Sequence, residues 1–447
     1  MKFRILLLII LNSTLSFGQT EKWIECSKDL SDKQFEKKIQ ASNYNLISNS
    51  FLFELNKWKL DKGISAETIY QNIIGWNKYP KPKKTGIVIQ KHIQLDSVKT
   101  VPYYIYIPEN YSSDLPTKLL VYYKGGWISR DSFPSNIAKE IINDNPTFSY
   151  LDRYNIIEIF PALNRDLAIY GMYGYKHIRL MLADSKKVLN IDDNQVYLAG
   201  FSDGGRTVYN LAFLRPTDFA SFYSINGSFN NSNMNYPNYT SRPVTTYSGT
   251  KDKLVNPKYA LSVAETANSF GADWKINTFK GEHFYFPYEK EILPKLFTEI
   301  SNSNRNPFPN KILYHKDYEY DELKGIDWLH IKTNTERKPE NWHYSSEINI
   351  IRNEKEIDSI KYGQKTAQVK ANYFNNIYDL KTSLVDEVVL YISPTMIDIN
   401  KPVKVILNGK EVYNQKIGFD KNFMIDNFIE KFDRKQVWIN EIKLIVE

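Results

Sequence analysis

A single cysteine, Cys26, occurs in the 447 residues. It cannot close an internal disulfide, so packing must hold the fold. Nor does it sit where a lipid-anchored cysteine would, directly behind an apolar run, because Glu21, Lys22 and Glu25 precede it. Long apolar stretches are scarce, and none after the first residues is long enough to cross a bilayer as a helix. Clustered basic charge is missing as well. The formal +7 is scattered along the chain, which excludes the electrostatic footprint of a nucleic-acid binder. The six histidines form no His-x-His pair, and there is no cysteine cluster or acidic repeat, so no metal-ligand spacing is found. No cofactor is implied. What remains is a globular composition, 42% hydrophobic and 24% charged, in a chain long enough for two or three domains.

Met1 to Arg4 is a short basic head, Ile5 to Leu11 an unbroken apolar run, and a polar stretch follows to about Gln19. This is the layout of a secretory signal peptide over 1–19. Its removal takes away Lys2 and Arg4, leaving +7 − 2 = +5. The expected location is the periplasm or exterior of a bacterium, where a lone thiol is unremarkable. Residues 20–82 read as a helical arm, with Ser31 to Gln34 offering a cap and apolar positions at Phe35, Ile39, Leu46 and Leu55. Pro80 and Pro82 close it.

From residue 86 the pattern changes. Short apolar runs such as Lys118 to Tyr123, Asn155 to Phe160 and Gln195 to Ala199 alternate with helical stretches, among them 137–143, 171–189, 206–214 and 257–270. Continuous apolar strands between helices predict an α/β fold, a mainly parallel sheet covered on both faces, over 83–302. Ser301 to Pro309 is polar and carries two prolines, which suits a boundary. Beyond it the helical signal fades. Seven strand-like runs from Ile326 to Val446, with an Asn408-Gly409 hairpin turn, predict a small all-β, sandwich-like domain over 311–447. Packing, homodimerisation and an aromatic sugar platform including Trp328 and Trp342 are roles open to it, aromatics in small β domains more often being core.

The chemistry centres on Gly200-Phe201-Ser202-Asp203-Gly204. Gly-x-Ser-x-Gly alone says little, but here a strand leads in and a helix leads out. A serine at such a corner is forced into a strained conformation with its hydroxyl exposed, and only small residues fit on either side. A serine hydroxyl needs a base to take its proton. His283, just after the last strand of the α/β part, has the right position and order; His92, His177, His315, His330 and His343 do not. The base needs an acid behind it. Asp252, after a strand and a Gly-containing turn, fits best, with Asp273 and Glu282 as competitors. Oxyanion donors are expected from the backbone of Asp203 and of Gly125 or Gly126, in the Lys124-Gly125-Gly126-Trp127 loop. The loops 127–136, 161–176 and 227–242 predict a cleft lined by Trp127, Phe133, Tyr170, Tyr173, Tyr236 and Tyr239.

The stretch Val196 to Gly227 (VYLAGFSDGGRTVYNLAFLRPTDFASFYSING) resembles the nucleophile region of α/β-hydrolases, nearest their secreted esterase and prolyl-oligopeptidase-like branches. Tyr247 to Val255 (YSGTKDKLV) and Gly281 to Pro287 (GEHFYFP) resemble the acid and histidine loops of the same superfamily. The resemblance spans 86–300 and implies triad roles for Ser202, Asp252 and His283. The chain departs from many relatives in having Lys124 where they have histidine before the oxyanion-loop glycine. Three functions are weighed. One is an exported carboxylic ester hydrolase, acting on small-molecule or polysaccharide-linked esters. A second is a serine peptidase, disfavoured because the β domain follows rather than precedes. The third is a non-catalytic binding protein on a hydrolase scaffold.

Overall fold

The structure, a computed structural model, describes residues 21–24, 43–44, 50–127, 130–133, 147–168, 173–229, 235–316, 325–334, 336–353 and 356–447. The 1–19 segment and the helix expected over 137–143 lie outside these residues.

The larger sheet is built from β1 (Glu21–Ile24), β2 (Asn43–Tyr44), β3 (Ile87–Gln94), β4 (Thr100–Ile107), β5 (Thr117–Tyr123), β6 (Ile156–Pro161), β7 (Ile191–Phe201), β8 (Ser221–Ile225), β9 (Val244–Gly249) and β10 (Trp274–Phe279). The order across the sheet is β10-β9-β8-β7-β5-β6-β4-β3-β1-β2. From β10 to β6 every neighbour is parallel; from β6 through β4 and β3 to β1 and β2 the pairing is antiparallel. The period-2 alternation of a strand divides the core between two faces. Leu119, Val121, Tyr123, Val196 and Leu198 point into one cluster, with Ile178 and Met181 of α4 (Gly174–Val188), Val208 and Leu211 of α5 (Asp203–Leu214) and Val263 of α6 (Pro257–Ser269). Leu120, Tyr122, Tyr197, Ala199 and Phe201 point into the other, with Leu151 of α3 (Phe148–Tyr154) and Ile292 and Leu296 of α7 (Glu289–Asn302). The continuous apolar runs are therefore strands buried on both sides, as expected. Each fully buried Leu or Val contributes about 1.5–3 kcal/mol of transfer free energy.

Residues 20–82 differ from the helical expectation at two places: β1 and β2 are strands at the edge of the large sheet. Helices do follow, α1 (Ser50–Leu60) and α2 (Ala66–Ile74), the latter capped by the Ser65 hydroxyl, which accepts from the Thr68 N–H. Their apolar faces turn toward the C-terminal part. Phe51 stacks on Trp76 at 4.2 Å and packs against Phe428 and Phe432.

The C-terminal part has a five-stranded sheet, β11-β16-β17-β19-β20, and a four-stranded one, β12-β13-β18-β21. These comprise β11 (Lys311–Lys316), β12 (Gly325–Ile326), β13 (Leu329–Thr333), β16 (Ala367–Phe374), β17 (Ile377–Ser383), β18 (Val385–Ile392), β19 (Val403–Leu407), β20 (Lys410–Gln415) and β21 (Asn440–Ile445). Val369, Leu380 and Val405 of one sheet share a core with Val388 and Leu390 of the other, which makes the pair sandwich-like. Asn408 and Gly409 both take positive φ, 51° and 83°, the geometry of a two-residue hairpin turn. This part is not purely β, because α8 (Lys421–Lys431) contributes Met424, Ile425 and Phe428 to the same core. The remaining hairpin, β14 (Ser346–Asn353) with β15 (Glu356–Tyr362), leaves this core altogether. Its Ile348, Ile350 and Tyr362 join the cluster on the α6 side of the large sheet.

The polar stretch after α7 is no free tether. Arg305 is buried, and its guanidinium donates to both Asp433 carboxylate oxygens at 2.7 and 3.0 Å. Nearby, Lys186 and Arg434 both reach the buried Asp193. No described helix is long and apolar enough to cross a membrane.

Candidate active site

β7 runs out at Phe201, and α5 begins at Asp203. Ser202 must make the whole turn between them. It does so at φ 56°, ψ −116°, a conformation that a non-glycine residue holds only when its surroundings enforce it. Two hydrogen bonds do this: the Ser202 N–H donates to the Ile225 carbonyl of β8 at 3.0 Å, and its own carbonyl accepts from the Arg206 N–H at 2.9 Å. The flanking glycines are required sterically. A Cβ on Gly200 would lie 2.4 Å from the Gly204 carbonyl, and one on Gly204 only 1.9 Å from the Tyr123 oxygen. Strand, strained serine and helix thus pack closer than any side chain allows. Together with the parallel strand order, this corner decides the architecture. The fold is that of the α/β-hydrolases.

At the carboxyl ends of the α/β-hydrolase strands, three loops converge on Ser202. After β9, Asp252 N–H donates to the Gly249 carbonyl at 3.1 Å, which folds the turn inward. Asp252 is buried, and its Oδ1 accepts from the N–H groups of Leu254 and Val255 at 2.8 and 2.9 Å. That leaves Oδ2 for His283, whose Nδ1 lies 2.8 Å away. A carboxylate can only accept, so Nδ1 carries the proton. The neutral ring then presents Nε2 as an acceptor, and Nε2 stands 2.9 Å from Ser202 Oγ. A hydroxyl, an imidazole and a carboxylate are therefore hydrogen-bonded in series, the arrangement that lets the ring take the hydroxyl proton as oxygen attacks.

The competing acids stand elsewhere. Asp273 is exposed before β10, at the opposite end of the strands, and pairs loosely with Lys275. Glu282 is also exposed. Gly125 lies against the serine: a Cβ there would come within 2.8 Å of Ser202 Cβ. Gly126 follows at φ 74°, with open space where a Cβ would be. Asp203 is the first residue of α5, so its N–H lies outside the helix's own hydrogen-bond ladder. The other histidines are dispersed. His92 sits on β3, His177 is buried in α4, His315 bonds the Tyr362 hydroxyl, His330 is on β13, and His343 bonds Ser383. Among the described residues no group of three or more His, Cys, Asp or Glu is placed to hold a metal ion.

The aromatic lining differs from the sequence expectation. Tyr236 and Tyr239 are buried in the core, against Tyr362 and Trp274 respectively. The 227–242 connection runs from the carboxyl end of β8 to the start of β9, and its later half belongs to the far end of the sheet. Trp127 is buried beside Tyr123, Phe133 is half-buried against the core, and Tyr173 donates its hydroxyl to Asp96. Tyr170 lies outside the described residues. The elbow and the histidine loop also bring rings to the site. Phe201 is 5.3 Å from the His283 ring and 5.8 to 6.2 Å from Phe286 and Phe284. Phe284 is 62% exposed and Phe286 38%. The alternation of buried His283 and Tyr285 with exposed Phe284 and Phe286 has no counterpart in the residue types, because four aromatic rings run together there and the more apolar ones are outside.

No family model matches the sequence, and no curated protein matches it. Solved structures do. A thermostable esterase is 14% identical at a TM-score of 0.41, aligned over 49% of this chain and 63% of its own. The chain thus spans under two thirds of that esterase's length. S-formylglutathione hydrolase from Staphylococcus aureus is 15% identical at a TM-score of 0.39, over 49% of this chain and 99% of its own. Esterase 2 of Thermogutta terrifontis, solved with butyrate bound, is 14% identical at a TM-score of 0.38, over 50% and 98%.

Proposed function

We propose that this chain is a serine hydrolase that cleaves carboxylic esters through an acyl-enzyme. The observation that carries this is the continuous hydrogen-bonded series Ser202–His283–Asp252 at a strained strand-to-helix corner. Ser202 Oγ attacks the ester carbonyl while its proton passes to His283 Nε2. The resulting imidazolium is stabilised by the Asp252 carboxylate. The N–H groups of Asp203 and of Gly125 or Gly126 receive the oxyanion. Collapse of the tetrahedral adduct expels the alcohol, which takes the proton from His283. Water, deprotonated by the same ring, then attacks the acyl-enzyme, and the carboxylic acid leaves as Ser202 recovers its proton. The exposed Phe284 and Phe286 support a substrate with an apolar portion beside the ester. We further propose export of the mature chain, on the strength of the 1–19 segment.

The test uses the mature chain and Ser202→Ala on short p-nitrophenyl esters, on a proline-containing anilide, and with a fluorophosphonate label. Ester turnover and labelling that both vanish in Ser202→Ala are expected. Anilide cleavage without ester cleavage would replace the esterase reading by the peptidase one. Neither turnover nor labelling in the wild type would reject a serine hydrolase.

A further inference from the structure

We infer that Asn226 is a positioning residue that locks the acid loop and the histidine loop in register behind Ser202; the inference rests on the hydrolase reading above. Asn226 directly follows β8 and is 1% exposed. Its backbone N–H donates to the Tyr247 carbonyl at 2.9 Å. Its side-chain Oδ1 accepts from the Gly249 N–H at 2.8 Å, at the root of the Asp252 turn. Its Nδ2 donates to the carbonyls of Glu282 at 3.1 Å and His283 at 2.7 Å. The residue before it, Ile225, accepts from the Ser202 N–H. Two consecutive residues therefore touch all three segments that carry the hydroxyl, the carboxylate and the imidazole.

The chemistry singles out asparagine. One acceptor must face an N–H, and two donors must face two carbonyls, all in a buried space. The amide supplies that set in one short side chain, whereas aspartate, of the same shape, cannot donate. The backbone fits as well: Asn226 takes φ 46°, a region asparagine tolerates better than most residues. His283 is also held from downstream, where the buried Tyr285 hydroxyl lies 3.0 Å from that of Tyr122. That contact ties the histidine loop to β5. The Lys251 N–H also donates to the Gly281 carbonyl at 2.9 Å, joining the two loops at their roots. The Asn226 side chain adds the ties at the Glu282 and His283 carbonyls, next to the ring itself, and so helps to set the Nδ1 to Oδ2 distance.

The test compares the full chain with Asn226→Gly, Asn226→Asp and Ser202→Ala. Glycine accepts φ 46° and removes all three side-chain bonds. Asn226→Gly is expected to melt cooperatively, to lose about 100-fold in kcat on p-nitrophenyl acetate, and to keep KM within about threefold. The acid limb of its kcat/KM profile should move to lower pH, because an imidazolium further from Asp252 is less stabilised. In Asn226→Asp kcat should also fall, but the limb should move up, since a buried anion then faces the ring's loop. A folded Asn226→Gly with wild-type kcat and an unmoved limb overturns the inference, as does a loss confined to KM. If Asn226→Gly does not fold, Asn226→Asp carries the same test. A readout without turnover separates the two levels of the argument. The far-downfield proton resonance of a His Nδ1–H bonded to carboxylate should appear in wild type and in Ser202→Ala, and weaken or vanish in Asn226→Gly. Its unchanged persistence in Asn226→Gly overturns the role of Asn226. Its loss there, in a protein with no Ser202-dependent turnover or labelling, upholds the positioning role and rejects the hydrolase reading alone.

Discussion

Asp252→Asn isolates the electrostatic part of the proposed relay from its architecture. Asp252 Oδ1 accepts from Leu254 and Val255, and an asparagine oxygen can keep both bonds, so the turn should stand. The new amide nitrogen then occupies the place of Oδ2, 2.8 Å from His283 Nδ1. Because it can only donate there, Nδ1 must become the acceptor and the ring proton must move to Nε2. Nε2–H would face Ser202 Oγ, and the ring could no longer take the hydroxyl proton. The wrong tautomer in this geometry costs about 10⁴-fold in kcat, roughly 5.4 kcal/mol of transition-state stabilisation at 1.36 kcal/mol per tenfold. KM should be nearly unchanged, since no group expected to touch substrate is altered. The assay is steady-state hydrolysis of p-nitrophenyl acetate, with the melting temperature as a control on folding. A folded Asp252→Asn within tenfold of wild-type kcat would refute the reasoning and return the search to other carboxylates.

Gly204→Ala should not make the corner at all. Its Cβ would sit 1.9 Å from the Tyr123 oxygen of the neighbouring strand, so strand and helix must separate, and we expect a loss of about 3 kcal/mol or more by urea titration. Stability should also fall as pH drops through the histidine range. Burial holds His177 and His315 neutral, with pKa values lowered to about 3, whereas in the unfolded chain they protonate near 6.5. The unfolded state therefore binds more protons between those values, and each histidine removes about 1.4 kcal/mol per pH unit as pH falls. Burial alone would raise the pKa of Asp433, but Arg305 and Lys186 hold it at about 2, so its contribution is lost only below about pH 4. Urea unfolding at pH 7 and pH 5 should show the histidine slope, and His177→Leu should remove about half of it; an unchanged slope in that variant would be the contrary result.

Ser202 was legible because its evidence is local: six adjacent residues encode a strand exit, a forced turn and a helix start. Asp252 and His283 were legible through chain order and their places after β9 and β10. Asn226 gave no such signal. A polar residue after a strand looks like any turn, and its importance lies in contacts with Gly249, Glu282 and His283, more than twenty residues away in sequence. The placement of Tyr236 and Tyr239 in the cleft failed for a topological reason. Each long connection in a parallel sheet crosses from one end to the other, so Tyr236 and Tyr239 were assigned to the wrong end. Helix α8 does carry a local signal. Asp420 caps it by accepting from the N–H groups of Asn422 and Phe423, and Met424, Ile425 and Phe428 have helical spacing.

The division into an α/β part and a β part was read from where the helical signal fades, near residue 302. Local pattern can place such a fade, but it cannot say against what a buried face packs. Here the two parts exchange elements. Helices α1 and α2, which precede the large sheet's main strands, bury Phe51, Leu55, Ile69 and Ile73 in the C-terminal core. Hairpin β14–β15, which follows that sheet, buries Ile350 in the core beside α6. Between them Arg305 and Asp433 form a buried ion pair, and removing either would leave the other buried without its hydrogen-bonded partner. Neither core is complete without the other part of the chain. A chain ending at residue 302 would strip Ile348, Ile350 and Tyr362 from the core of the large sheet and uncover the apolar faces of α1 and α2. We therefore expect the full chain to unfold in one calorimetric transition, and the truncated chain to aggregate rather than retain the proposed esterase activity. Two resolved transitions, or an active 302-residue fragment, would mean that the exchanged elements fill surface rather than complete cores.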